Sequence, residues 1–243
     1  MIYYGRPGQF SAGEAIGILL LDAVLPLPPG DVANATTYPF PVRYSVVKAA
    51  SIERLIYKRD PELLQPFIDA GWDLVRAGVK AITSDCGFMA LFQEEMAEAL
   101  PVPVFLSSLL QIPFIHRTLR KGEKVGIIAA DGAGVTETHL KAVGVDSSIP
   151  LKIVGMDDQE GFRSAILEEK GLLDFDKVEA EVVGKARELV KDEKVRAILL
   201  ECSNLPQYAY AVQQAVNLPV FDFNTLVNYV FSALIRQPYR GFV

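Results

Sequence analysis

Residues 79–86 read Val-Lys-Ala-Ile-Thr-Ser-Asp-Cys, and residues 195–202 repeat the pattern as Val-Arg-Ala-Ile-Leu-Leu-Glu-Cys. The two copies lie 116 residues apart, because 195 − 79 and 202 − 86 both equal 116. Pro103-Val-Phe105 and Pro219-Val-Phe221 have the same gapless offset. A repeat of this length is too long for a solenoid unit and predicts two copies of a domain-sized half.

Each half alternates short apolar runs with helical patterns. An opening segment, Glu14-Ala-Ile-Gly-Ile18, is repeated as Glu123-Lys-Val-Gly-Ile127 at an offset of 109, so one half contains a short insertion. The apolar runs that predict buried parallel strands are 16–21, 79–83, 102–106, 125–129, 195–200 and 220–223. This alternation predicts an α/β fold with two similar doubly wound parallel-sheet domains.

Two further segments carry local signals. Asp60-Pro61-Glu62 is typical of a helix start, because Asp caps the helix and Pro fits its first position. A second amphipathic helix is predicted over 176–190. The segment 26–41 contains five prolines and predicts a long loop. Long loops in compact domains are often functional, so we expect this one to form part of the wall of a site.

Composition excludes several classes of function. The chain has 243 residues, of which 50% are hydrophobic, and a formal net charge of −6. A mildly acidic chain does not attract phosphate backbones, so no nucleic-acid partner is expected. No membrane span is expected either, because the best apolar run ends after seven residues at Asp22. The start lacks the pattern of a signal peptide, which favours a cytoplasmic protein with reduced cysteines.

The two cysteines, Cys86 and Cys202, occupy matched positions between a strand and a helix. Ligands of open α/β sheets bind beyond the carboxyl ends of the strands, and helix N–H groups there favour a thiolate. A pseudo-twofold axis between the halves would bring both thiols to one site. Inversion of a carbon centre needs a base on one face and an acid on the other, which two cysteines can supply without a cofactor.

The residues directly after each cysteine are candidate substrate-binding groups. Gly87 allows a substrate to approach its backbone N–H, or it forms a tight turn. Phe88 is next in the chain and belongs to the same candidate site. Ser203 and Asn204 are expected either to donate to a substrate carboxylate or to cap the next helix.

Two candidates lie in loops. Asn34, in the Pro-rich loop, either folds over the site or stabilises a turn. Thr136, beyond the strand 125–129, either reaches the site or caps a helix.

No metal site is expected, because His116 and His139 lack a cluster of other ligands. Gly132-Ala-Gly134 lacks the third glycine of a dinucleotide loop, so no cofactor is expected.

The chain resembles the aspartate/glutamate racemase superfamily, which includes hydantoin racemases, maleate isomerases and arylmalonate decarboxylases. The resemblance rests on the strand-Cys-helix unit at Cys86, its repeat at Cys202 and the opening strand 16–21. It implies two similar α/β domains with the active site between them. It also implies that the C-terminal strand and helix return to the first domain, which gives domains of 1–100 plus 217–243 and of 101–216.

The resemblance also implies a reaction class. It favours a cofactor-independent racemase or epimerase in which Cys86 and Cys202 act as acid and base on a small carboxylate or amino-acid-like substrate. A maleate isomerase-like cis-trans isomerase and a non-catalytic small-molecule binding protein with the same cleft are the alternatives. The residues after each cysteine, Gly87-Phe88 and Ser203-Asn204, differ from those of the amino-acid racemases. The N-terminal arm, 1–13, is a candidate interface for a homo-oligomer.

Overall fold

The computed structural model describes residues 2–242, which form two parallel β-sheets flanked by helices. The first sheet consists of β1 (Ile16–Leu21), β2 (Val42–Val47) and β3 (Ala81–Ser84), in the order β2-β1-β3. The second consists of β4 (Lys124–Ala129), β5 (Leu151–Gly155), β6 (Val195–Leu200) and β7 (Val220–Phe221), in the order β5-β4-β6-β7. The predicted α/β fold with two similar parallel sheets is confirmed.

The register repeats the internal duplication. Ile82 forms a parallel bridge with Val104, and Ile198 pairs with Val220. Each residue of the second pair lies 116 positions after its counterpart in the first pair. The predicted strand 102–106 is therefore reduced to a single bridge. The side chain of Gln93 replaces ladder bonds there, because its Nε2 donates to Val104 O over 3.0 Å and its Oε1 accepts from Leu106 N over 2.9 Å.

The edge strands β2 and β5 were absent from the sequence prediction. Both are only partly buried and mix apolar with polar residues, as Val-Arg-Tyr-Ser-Val-Val and Leu-Lys-Ile-Val-Gly. Edge strands of this kind lack the continuous apolar run that identifies a central parallel strand. Their positions depend on pairing with β1 and β4.

Eight α-helices lie within the described residues. They are α1 (Leu64–Ala77), α2 (Gln93–Ala99), α3 (Ile112–Thr118), α4 (Glu137–Ala142), α5 (Glu160–Phe162), α6 (Phe175–Leu189), α7 (Ala209–Val216) and α8 (Phe223–Leu234). The helix start at Asp60 is confirmed, since its side chain accepts from Glu62 N and the 3₁₀ turn Pro61–Leu63 leads into α1. No helix within residues 2–242 is both long enough and apolar enough to cross a bilayer.

In each half, the chain leaves its last strand position and forms a helix that packs against the other half. After Val104 the chain forms α3, which contacts β4 of the second sheet. After β7 it forms α8, whose Phe223 and Val227 share a core with Ile16 of β1. The implied return of the C-terminal segment therefore holds for the helix and is wrong for the strand, because β7 pairs with β6. The domain limits, 1–100 plus 217–243 and 101–216, stay a prediction.

Candidate active site

One small cavity contains both cysteines. Its free volume is about 20 Å³, and each cysteine is a free thiol exposed by 7%. The polar residues that line it are Asp85, Cys86, Glu201, Cys202, Ser203 and Asn204. Gly87 and Phe88 line it as well. The structure thus brings six of the eight predicted site residues together, whereas their roles stay predictions.

The backbone after each cysteine repeats the duplication. The N–H groups of Phe88 and Asn204, which are 116 residues apart, face the sulfurs of Cys86 and Cys202 and favour their thiolates. Met89 N instead donates to Cys86 O over 3.0 Å, and Leu205 N makes the equivalent bond to Cys202 O over 3.2 Å. The expectation that all the amides of 87–89 and 203–205 point freely into the site is therefore wrong for residues 89 and 205.

Burial controls the acidity of the thiols. It raises the pKa of both Cys86 and Cys202 well above the usual range, and the negative charge of Glu201 raises both further. Single N–H bonds from Phe88 and Asn204 do not offset these effects. The expectation that strand ends before helices favour thiolates is thus wrong for this site, because desolvation outweighs the helix start.

Two acidic residues at the site were missed by the sequence prediction. Asp85 precedes Cys86, and Glu201 precedes Cys202, again 116 residues apart. Burial raises the pKa of each carboxyl group to about 7, and the charge of Asp31 contributes at Asp85. The signal that could have identified them is visible in the repeat, since both halves place an acid directly before the cysteine.

The second-half candidates are bound within the protein. Ser203 Oγ donates to the main-chain oxygen of Asp85. Asn204 Nδ2 donates to Asp31 Oδ2 over 2.7 Å, and Cys202 Sγ donates to Asn204 Oδ1 over 3.6 Å. Neither side chain caps a helix. The single hydroxyl proton of Ser203 is therefore used within the protein, whereas the amide of Asn204 has a second N–H.

The two loop candidates lie outside the cavity. Asn34 caps the 3₁₀ turn Ala35–Thr37, because its Oδ1 accepts from Thr36 N over 2.9 Å. Thr136 caps α4 together with the ring of His139. Asp31, in the Pro-rich loop 26–41, accepts a hydrogen bond from Asn204, which lines the cavity. No residue of the loop lines the cavity itself. The expectation that this loop forms part of the wall is therefore wrong, because the loop contacts the site from outside the cavity, as in the bond from Asn204 to Asp31.

Two π-helical segments contribute apolar side chains to the lining of the cavity. They are Glu53–Tyr57 and Arg163–Leu167, one from each half. Ile56 and Ile166 both line the cavity and differ by 110 residues. Each segment ends near a residue with positive φ, Arg59 at 49° or Glu169 at 52°. π-Helical turns are uncommon and occur often at functional sites.

The site combines thiols and carboxylates without a basic side chain. No lysine, arginine or histidine is among the residues that line the cavity. Across residues 2–242, no group of three or more His, Cys, Asp or Glu side chains is arranged to hold a metal ion. Two thiols and two carboxyl groups around one small space can move protons to and from a bound molecule.

The chain is similar over most of its length to a group of lyases. Dimethylsulfoniopropionate lyase from Durusdinium sp. clade D is 32% identical over 93% of this chain and 77% of that protein. Dimethylsulfoniopropionate lyases 7 and 3 of Emiliania huxleyi are 34% and 33% identical over 93% of this chain. The chain spans 69% and 61% of those two proteins.

Solved structures share the fold at low identity. A mutant of arylmalonate decarboxylase matches with a TM-score of 0.61 and 17% identity, over 90% of this chain and 92% of that one. An aspartate racemase homologue from Pyrococcus horikoshii matches with a TM-score of 0.59 and 16% identity, over 91% and 99%. The model of the Asp/Glu/Hydantoin racemase family matches residues 58–227. Since that match covers more than half of the sequence, the chain belongs to the Asp/Glu/Hydantoin racemase family.

Proposed function

We propose that this protein is a lyase that eliminates a sulfide from a small sulfonium carboxylate. Dimethylsulfoniopropionate, the compound in the names of its relatives, is the substrate we propose. The observation that carries the proposal is the single cavity in which Cys86 and Cys202 lie beside Asp85 and Glu201 without a basic side chain. Such a cavity suits a cationic molecule with an acidic proton, and it disfavours a dicarboxylate.

The chemistry needs one base. A thiolate removes the proton on the carbon next to the substrate carboxylate. The electron pair left on that carbon forms the carbon–carbon double bond as the bond from the next carbon to sulfur breaks. Dimethyl sulfide leaves as a neutral molecule with the electron pair of that bond, and acrylate remains. The proton on the cysteine then returns to solvent.

The charge of the substrate offsets the unfavourable acidity of the thiols. Burial and the charge of Glu201 raise the pKa of both cysteines. A sulfonium cation bound beside them acts in the opposite direction, because a nearby positive charge favours a thiolate. The base is therefore produced when the substrate binds.

Binding also requires the cavity to widen. A volume of about 20 Å³ admits roughly one water molecule. The π-helical segments Glu53–Tyr57 and Arg163–Leu167 cover the site with Ile56 and Ile166, and we infer that they move apart to admit the substrate. Their apolar side chains then enclose the S-methyl groups.

Racemisation by the same two cysteines is the second candidate. The pseudo-twofold placement of Cys86 and Cys202 favours it, because a base and an acid would come from opposite halves. The two reactions share proton removal next to a carboxylate and differ in the fate of the carbanion. An elimination expels the leaving group, whereas a racemase returns a proton to the carbon.

The test is incubation of the protein with dimethylsulfoniopropionate. Headspace gas chromatography measures dimethyl sulfide, and proton NMR in D₂O measures acrylate and any deuterium in chiral carboxylates supplied in parallel. We expect sulfide and acrylate in equal amounts, and a loss of roughly 10²- to 10⁴-fold when the catalytic base is replaced in Cys86→Ser or Cys202→Ser. Deuterium at a stereocentre without sulfide release would favour the racemase. Binding of small carboxylates without any turnover would favour a binding protein.

A further inference from the structure

Asp85 and Glu201 form a second matched pair in the site. Leu21 N, at the end of β1, donates to Asp85 Oδ1 over 3.1 Å and to Oδ2 over 3.2 Å. Ala130 N, directly after β4, donates to Glu201 Oε2 over 3.2 Å. Leu21 and Ala130 are 109 residues apart, which is the offset of the opening strands. The duplicated fold thus fixes one carboxyl group from each half at the cavity.

Glu201 keeps one oxygen without a partner. Its side chain is fully buried, and Oε1 makes no hydrogen bond to any residue that the structure describes. This oxygen lies against the backbone of Gly87, the residue after the opposite cysteine. An unpaired buried carboxylate oxygen is costly, and proteins usually pair it with a cation or a donor. No lysine, arginine or histidine lines the cavity, and none of the donor side chains that line it is bonded to Oε1.

We propose that Asp85 and Glu201 form the subsite for the positively charged end of the substrate, with Glu201 Oε1 as its principal contact. This inference deepens the proposed function and rests on it for the identity of the substrate. The class it names is a small carboxylate with a permanent onium charge. A sulfonium group has no N–H to donate, so it needs negative charge together with apolar surface rather than specific acceptors.

The walls of the cavity fit such a group. Ile52, Ile56, Ile166 and Leu167 line it beside the two carboxyl groups. Methyl groups of an onium ion can contact these side chains, while its charge faces the acids. A dicarboxylate in the same position would meet like charge, which is unfavourable for the same Coulombic reason.

A pair of ligands of equal shape tests the charge alone. Dimethylsulfoniopropionate and 4-methylpentanoate differ in a positively charged sulfur against a neutral CH group. Their affinities are measured by calorimetry on the Cys86→Ser/Cys202→Ser protein, which avoids turnover. We expect the sulfonium to bind at least about tenfold more tightly, as a desolvated charge pair should provide.

Charge-removing variants then locate the effect. In the same background, Glu201→Gln and Asp85→Asn should each reduce the preference for the sulfonium over 4-methylpentanoate to about threefold or less. The affinity for 4-methylpentanoate should be nearly unchanged. Asp222→Asn is the matched control, because Asp222 is buried but lies outside the cavity. It should keep the full preference.

The outcomes separate the subsite from the reaction. Equal binding of the two ligands, no binding of the sulfonium, or a preference that survives both acid substitutions overturns the subsite. A preference that depends on the acids, in a wild-type protein that releases no dimethyl sulfide, supports the subsite and overturns the proposed lyase reaction. Release of dimethyl sulfide by the wild-type protein without such a preference supports the lyase reaction and overturns the subsite.

Discussion

Asn204 donates a hydrogen bond of 2.7 Å from Nδ2 to Oδ2 of Asp31. An ionised carboxylate only accepts, so this bond fixes the amide and turns Oδ1 of Asn204 toward Cys202, whose Sγ donates to it over 3.6 Å. The position equivalent to Asn204 in the first half is Phe88, which offers no such acceptor to Cys86. The two cysteines therefore differ, and the thiol form is favoured at Cys202.

The first prediction concerns this connection between the loop and the site. In Asp31→Ala, the amide of Asn204 is free to rotate, and a charge-assisted bond worth roughly 1.5–3 kcal/mol is lost. We expect kcat to fall about tenfold or more with little change in KM, because Cys86 then supplies the base while the Cys202 thiol donates to the carboxylate as charge develops, and the variant misorients that donor. Steady-state assays of sulfide release measure both.

Tyr44→Phe provides the control for Asp31→Ala. Tyr44 OH donates to Val32 O over 3.1 Å, so its loss loosens the same loop without touching Asn204. It should retain near-normal kcat. If the two variants lose activity equally, the effect is on the loop as a whole and the assigned role of Asp31 is wrong.

The second prediction concerns Gly87. A Cβ placed on this residue would overlap Glu201 Oε1 and would lie 2.5 Å from Glu201 O. Gly87→Ala should therefore lower the free energy of unfolding by about 1–3 kcal/mol, the usual cost of overpacking. Denaturant unfolding measures the change. A variant as stable as wild type would show that the helix start can shift away from Glu201.

Gly184→Ala is the matched control for a glycine substitution. Gly184 lies inside α6, and an added Cβ there meets no atom within 4 Å. Alanine should raise the free energy of unfolding by about 0.5–1 kcal/mol, because it restricts the unfolded chain and favours helix. Opposite signs at the two positions would separate the packing effect from the backbone effect.

The central strands were predictable because buried parallel strands are continuous apolar runs. The predicted limits of β6, 195–200, and of β1, 16–21, match the structure. The edge strands β2 and β5 were not predictable, because they are partly exposed and their position depends on pairing with a neighbour. The exchange of α3 and α8 between halves is a tertiary packing choice that no local pattern contains.

The site was predictable where the duplication marked it. Cys86 and Cys202 were found through their shared offset, and the same offset identifies Asp85 and Glu201 in retrospect. Asp31 could not be identified in this way, because its contact with Asn204 spans 173 residues of sequence. The acidity of the thiols was predicted in the wrong direction, because desolvation depends on how completely the two halves close and a sequence does not show this.

The third prediction concerns stability and pH. Burial raises the pKa of Glu201 from its usual value of 4.5 to about 7, so the folded state holds this proton more tightly than the unfolded chain does. Its contribution to stability is present below the unfolded pKa and is lost as pH rises through the folded pKa. Glu201→Gln should therefore raise the free energy of unfolding by at least about 1 kcal/mol near pH 8 and by little near pH 4.

Unfolding in denaturant at several pH values measures this effect. Asp85→Asn should act in the same direction, because burial raises the pKa of Asp85 to about 7 as well. Asp60→Asn is the contrast, since the bond from Arg54 lowers the pKa of the partly exposed Asp60. A Glu201→Gln protein that is less stable than wild type at alkaline pH would show that an ionised Glu201 stabilises the fold instead.

The fourth prediction concerns the pH dependence of turnover. The subsite attracts a cation only when its carboxyl groups are ionised, and burial places the pKa of both Asp85 and Glu201 at about 7. We therefore expect kcat/KM for dimethylsulfoniopropionate to rise as pH increases through about 7, and to rise further toward alkaline pH as the thiols ionise. In Glu201→Gln the step near neutrality should be smaller, while the alkaline rise remains because Cys86 and Cys202 are unchanged. Asp222→Asn should keep the wild-type profile. A profile that is flat between about pH 6 and pH 8, or a neutral step that survives in both Glu201→Gln and Asp85→Asn, would assign the titration to another group and remove these acids from cation binding.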